Sequence, residues 1–149
     1  MMKSWLIDTN VLIYSYDQTY ELHLPSYKFM EYVIGGEIPA VITHQNLLEF
    51  LAVVTNPRRV KHPLSLDQAF QKIVIYATSF PLINPLQKSF FTFANMILRY
   101  KTTRQRIFNL YLSATALDNG INQICTWNTK DFVEITELVV KTPEEVIAQ

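Results

Sequence analysis

Glycine is scarce in this sequence: three residues in 149, two of them adjacent at Gly35-Gly36. Phosphate-cradling loops need closely spaced glycines, and no GxxxxGK[ST], GxGxxG or GxSxG pattern occurs. Cysteine is rarer still. Cys125 alone excludes an internal disulfide framework and fits a reducing compartment, so a cytoplasmic location is expected. His23, His44 and His62 are scattered, which leaves no cysteine–histidine cluster with zinc spacing. Charge of one sign is also missing: 13 basic against 13 acidic residues give a formal net charge of zero. Overall basicity therefore gives no argument for nucleic acid, though a local basic patch stays open. No apolar run approaches a membrane span, and the stretch after Lys3 is broken by Asp8 before it could form a signal-peptide core. Repeats, low-complexity tracts and linker-like segments are absent as well.

What is present is a chain of ordinary domain size, 49% hydrophobic, able to bury a real core. One domain over 1–149 is the simplest organisation. Short apolar runs at Trp5–Ile7, Pro39–Ile42, Leu82–Ile83 and Ile121–Thr126 read as strands, with a possible fifth at Leu138–Val140. Helical patterns lie between them, notably over roughly Leu66–Thr78, Leu86–Tyr100 and Arg104–Asp118. Ser65-Leu66-Asp67-Gln68 and Thr102-Thr103-Arg104-Gln105 have capping-box spacing. Thr142-Pro143 and Asn84-Pro85 place proline at a first helical position, and Gly35-Gly36 and Asn119-Gly120 read as helix stops. Alternating strands and helices predict a three-layer α/β/α domain, with a mostly parallel sheet of four to five short strands and helix-rich flanks.

Sites in such sheets form beyond the carboxyl ends of the strands. Asp8 follows the first strand inside the apolar stretch WLIDTNVLIY, and Thr43 follows the second. Thr126 closes a later strand, with Asn128 and Asp131 in the loop after it. Glu49 lies on the helix after Thr43, and Asn109 lies in the first half of the Arg104–Asp118 helix. Asp8, Glu49, Asn109, Asn128 and Asp131 can therefore converge at one rim. Their oxygens make a hard-ligand site suited to magnesium or manganese rather than zinc. Such a site can activate water at a phosphodiester, and nearby Arg99, Lys101, Arg104 and Arg106 could position a phosphate backbone.

Plainer readings stand beside these. Asp8 could be a turn aspartate bonding the Asn10 amide, and Glu49 a glutamate on a solvated helix face. Asp131 could be a loop or N-cap residue, and the Arg99–Arg106 cluster a solvated helix junction. Arg104 and Arg106 nevertheless sit unfavourably at a helix N-terminus, which hints at an anionic partner. Tyr14, Tyr16, Tyr20 and Tyr27 read as packing. Tyr100 could stack on a base.

In order along the chain, LIDTNVLIY, THQNLLEFLAVVTNP with a following HPLS, IFNLYLSATALDNG and ICTWNTKDF resemble the PIN-domain ribonucleases, specifically the VapC-type toxins of toxin–antitoxin pairs. The resemblance implies that Asp8 and Glu49 are metal-binding acids and that the TWNTKDF loop supplies the last group, from Asn128 or Asp131. Thr9, Asn10 and Thr126, with Thr43, would orient these ligands. It also implies RNA as substrate, Mg2+ or Mn2+ as cofactor, a small antitoxin as partner and a homodimer. One departure stands out: Asn109 occupies a position where the family usually has an aspartate, so the cation should bind more weakly. Asp118 is no substitute, being half a revolution away and further down the helix.

The leading expectation is a metal-dependent endoribonuclease using Asp8, Glu49 and Asp131 with help from Asn109 and Asn128. The alternative is a catalytically weakened PIN domain that binds RNA or an antitoxin without cleaving. A haloacid dehalogenase-type phosphotransferase ranks last, because its second acid would fall at Asn10. The aromatic run Phe90, Phe91 and Phe93 is expected mainly in the core, with a partner surface as the other reading.

Overall fold

The computed structural model describes residues 3–149. The elements run β1 (Trp5–Ile7), α1 (Thr9–Tyr16), α2 (His23–Ile34), β2 (Ala40–Thr43), α3 (His44–Val54), α4 (Leu66–Ser79), β3 (Leu82–Ile83), α5 (Ser89–Tyr100), α6 (Arg106–Asp118), β4 (Gln123–Cys125), a 3₁₀ turn (Thr129–Asp131), β5 (Val139–Lys141) and α7 (Pro143–Ile147). The strands form one sheet in the order β3-β2-β1-β4-β5, with every neighbouring pair parallel.

Side chains alternate across the short strands, as the pleat requires. Trp5, Ile7, Ala40, Ile42 and Cys125 face one core with Val11, Phe29, Phe50, Tyr76 and Val146. Leu6, Val41 and Ile124 face the other, against Met96, Leu110, Leu112, Phe132 and Ile135. Helices α1–α4 and α7 thus cover one face and α5–α6 the other. This is the expected three-layer α/β/α domain, and β1 is its central strand.

Strand positions match the sequence reading to within one or two residues. β4 starts only at Gln123, because Ile121 is still bonded back to the Ala116 carbonyl at 2.9 Å as α6 ends. β5 runs on to Lys141, whose carbonyl accepts the Thr126 amide. The Ser65/Gln68 and Thr142/Glu145 capping boxes form, the second with Pro143 at its start. Gly36 (φ 83°) and Gly120 (φ 77°) adopt the left-handed turn expected after α2 and α6.

Two helix starts are corrected. Pro85 does not open a helix: α5 begins at Ser89, whose hydroxyl accepts the Leu86 amide at 2.9 Å. Thr102 and Gln105 form no capping box either. Lys101 (φ 55°) and Arg104 (φ 59°) take left-handed conformations that reverse the chain, so α6 starts at Arg106 with no side-chain cap. The core expectation for the phenylalanine run also fails in part: Phe93 packs inward, but Phe90 and Phe91 are exposed.

Candidate active site

No loop separates β1 from α1. Asp8 follows the strand directly and caps the helix, its Oδ1 accepting the Thr9 amide at 2.8 Å. The helix-start role is therefore real, with Thr9 rather than Asn10 supplying the amide. Helix capping leaves Oδ2 for other partners. It accepts from the Thr126 hydroxyl at 2.8 Å and from the Asn10 side-chain amide at 3.2 Å. Thr126 Oγ1 in turn accepts from Asn10 Nδ2 and from the Asn128 amide. The Asn10 oxygen receives the Trp127 amide at 3.0 Å, which ties the loop after β4 to α1. The indole of Trp127 anchors the same loop on Ser26 of α2.

The acidic neighbour is reached through Thr9. Its hydroxyl donates to Glu49 Oε2 at 3.0 Å and accepts from Asn46 Nδ2 at 3.1 Å. Asn46 is fully buried, and its oxygen accepts both the amide and the hydroxyl of Thr43. Thr43 thereby closes a capping box on α3 while fixing the residue that orients Thr9. Gln45 donates to Glu49 Oε1 at 2.9 Å, with a longer 3.5 Å contact to the Phe108 carbonyl. That contact brings the Glu49 face of α3 against the first turn of α6, where Asn109 lies.

Asp8 is only 8% exposed. Burial pushes its carboxyl up to about 6, against the hydrogen bonds from Thr126 and the Thr9 amide; the charges of Glu49 and Asp131 push it further in the same direction. Among the described residues, neither Asp8 nor Glu49 has an ion-pair partner; the pairs formed are Arg99–Glu137, Arg106–Asp131 and Arg106–Glu134. Two carboxylates held only by hydroxyls and amides form an acidic pair without a counter-cation. This hard-oxygen donor set fits a magnesium-type ion.

The remaining candidates are placed less tightly. Asp131 closes the 3₁₀ turn, its amide bonded to the Asn128 carbonyl, and its carboxylate pairs with Arg106 at 3.5 Å. Asp131 is not an N-cap. Asn128 is exposed, and Asn109 is half-buried with no side-chain hydrogen bond among the described residues. Consistent with this, no three acidic, imidazole or thiol groups among the described residues close into a ready-made metal cage. Asp118 bonds Thr92 at the opposite end of α6, as its rejection required.

The basic cluster divides. Arg99 is committed to Glu137 at 3.4 Å and lies over the Tyr100 ring, and the Tyr100 hydroxyl is itself bonded to Glu137 and Thr136. That arrangement serves packing between α5 and the loop before β5, not a free stacking surface. Lys101 and Arg104 are exposed and, among the described residues, unpaired. Sequence reasoning missed Asn46 and Trp127. Asn46 had a legible signal, the T-x-x-N spacing of a capping box with asparagine in the usual Glu/Gln place. Trp127 had none.

The site thus sits on an all-parallel α/β/α sheet, with one buried carboxylate at the end of the central strand and a second on the helix after the next strand. No family model matches the chain. Ribonuclease VapC37 of Mycobacterium tuberculosis is 25% identical over 116 residues, covering 76% of this chain and 81% of that protein. A toxin–antitoxin complex from Klebsiella pneumoniae superposes with a TM-score of 0.63 at 22% identity, over 94% of this chain and 98% of the other. VapBC2 from Rickettsia felis, bound to a DNA fragment from its promoter, gives a TM-score of 0.66 at 17% identity, over 93% and 97%. On fold and sequence together, the chain is similar to the VapC-type toxins of the PIN-domain family.

Proposed function

We propose that this chain is a ribonuclease toxin that depends on Mg2+ or Mn2+, with Asp8 and Glu49 as the principal ligands and Asp131, Asn109 and Asn128 around them. The observation that carries this reading is the pair Asp8–Glu49, joined through Thr9 and lacking any cationic side chain. A bound divalent cation would supply an activated water and stabilise charge on the scissile phosphodiester. The protein's own part is orientation. Thr126 and Asn10 fix one oxygen of Asp8, the α1 amide fixes the other, and Thr9 and Gln45 fix the two oxygens of Glu49. Exposed Lys101 and Arg104 supply cations for an RNA backbone. The similarity to a ribonuclease named VapC37 supports the substrate class.

Toxin–antitoxin complexes among the structural relatives support a small antitoxin as partner. Self-association would draw on the exposed apolar face of α5, where Phe90, Phe91 and Leu98 are 61%, 68% and 69% exposed. Among the described residues no helix is long and apolar enough to cross a membrane, and a cytoplasmic site of action is part of the proposal.

A second reading is favoured by one residue. Asn109 brings no negative charge to the rim and no side-chain hydrogen bond, as expected of a weakened enzyme that binds RNA or antitoxin. RNA cleavage with Mg2+ or Mn2+ against EDTA, comparing this chain with Asn109→Asp, separates the two. Cleavage by both, faster in the variant, supports the enzyme; cleavage by the variant alone supports the binding form. No cleavage by either removes the nuclease proposal.

A further inference from the structure

Arg106 is the first residue of α6, where a positive side chain opposes the helix dipole. Local helix energetics do not explain it. Two acids do: Asp131 Oδ1 lies 3.5 Å from Nη2 and Glu134 Oε1 lies 3.8 Å from Nη1. The side chains of Arg106 and Asp131 are 47% and 30% exposed, so the pair is hydrated and exchangeable. Among the described residues, Asp131 is also the one acid of the rim that has such a partner. Asp8 and Glu49 are held by neutral donors, whereas Asp131 is drawn to a guanidinium, and the three carboxylates do not close together.

We propose that Arg106 is a latch on the candidate site: it holds Asp131 while no cation is bound, and it turns to the RNA phosphate once Asp131 leaves it for the cation. This rests on the metal-dependent reading above. The geometry favours both positions of the latch. In the first, Asp131 and Glu134 flank the guanidinium. In the second, the side chain is free of both acids at the start of α6, whose first amides Gln105 leaves without a side-chain cap and which attract anions. Arg106 is thus a positioning residue that competes with the metal for one ligand and links metal occupancy to RNA engagement.

The test is calorimetric titration of the whole chain with Mn2+. Arg106→Gln should bind Mn2+ about two- to fivefold more tightly than the parent, the range expected for releasing one exposed ion pair. Arg106→Lys, which keeps the charge, should stay near the parent. In an Asp131→Asn background Arg106→Gln should change nothing, because the contested oxygen charge is gone. The same Arg106→Gln variant should show a raised KM for RNA at saturating Mn2+, with a smaller change in kcat. A structural defect would weaken Mn2+ binding, the opposite sign. Unchanged or weaker Mn2+ affinity in Arg106→Gln overturns the latch while leaving the metal site standing. Tighter Mn2+ binding with an unchanged KM overturns the transfer to RNA. Mn2+ binding indifferent to both Asp8→Asn and Glu49→Gln overturns the site itself and the latch with it.

Discussion

Asp8 is buried at the end of a hydrophobic strand, and its charge is held there by dipoles alone. Its raised value fixes the sign of a pH effect. The folded state, with Asp8 at about 6, binds more protons than the unfolded chain at 3.8, so the metal-free protein loses stability as pH rises through that window. The loss is on the order of 3 kcal/mol at about 1.36 kcal/mol per unit. Thermal melting in EDTA should therefore give a lower Tm at pH 7.5 than at pH 5, and Asp8→Asn should flatten the difference. Under the proposed metal-dependent reading, the same substitution should reduce RNA cleavage by roughly 10²-fold or more, since stabilisation of several kcal/mol would be lost with a cation ligand. Asn46→Ala is expected to be harmful for another reason. It strips the buried Thr43 and Thr9 of partners, costing about 1–3 kcal/mol, and loosens Glu49 enough to lower activity by roughly 10–100-fold. Asp8, Thr9, Asn10 and Thr126 were legible in the sequence because polar groups interrupting apolar strand ends are conspicuous, whereas Glu49, inside α3, stood out only by its place on the helix after Thr43 and by the family resemblance. Asn46 was passed over although the T-x-x-N spacing marks it, because asparagine stands in the usual Glu/Gln place, and the Arg106–Asp131 pair joins residues too far apart in the chain for any spacing rule.

At the scale of elements, capping signals were readable where the side chain that answers the cap was glutamate or glutamine, as at Ser65 and Thr142. They misled at Thr102, where left-handed Lys101 and Arg104 decide how α5 turns into α6. Caps also differ in what they carry. Ser65→Ala should destabilise the protein by about 1 kcal/mol in denaturant unfolding, with cleavage unchanged, because α4 bears no site residue. Thr43→Ala should lose more stability and also activity, since its hydroxyl holds the start of α3 and, through Asn46 and Thr9, Glu49. Equal effects on cleavage would separate the caps from the site. The phenylalanines of α5 illustrate a limit of composition: an aromatic run marks an apolar helix, not which of its sides meets the core.

For the whole molecule, the parallel α/β class followed from alternation, but the strand order did not, since short apolar runs carry no record of their neighbours. The order decides what is enclosed. Cys125 sits in the strand beside β1, fully buried, and burial drives its thiol well above the usual range, with Asp8 and Glu145 adding to the shift. Native protein should resist a disulfide reagent such as DTNB, and the labelling rate should rise with denaturant in step with unfolding. Fast labelling under native conditions would contradict a sealed centre.

The central place of β1 also governs what happens during synthesis. Leu6 pairs with Ile124 and Asp8 takes its hydroxyl donor from Thr126, so β1 is flanked on this side only after about 118 further residues have emerged. Pairing over such sequence distances is slow to nucleate. A ribosome translating this message therefore carries a chain whose acidic rim lacks the donors that orient it. The site itself is not assembled until the segment that completes it has left the exit tunnel.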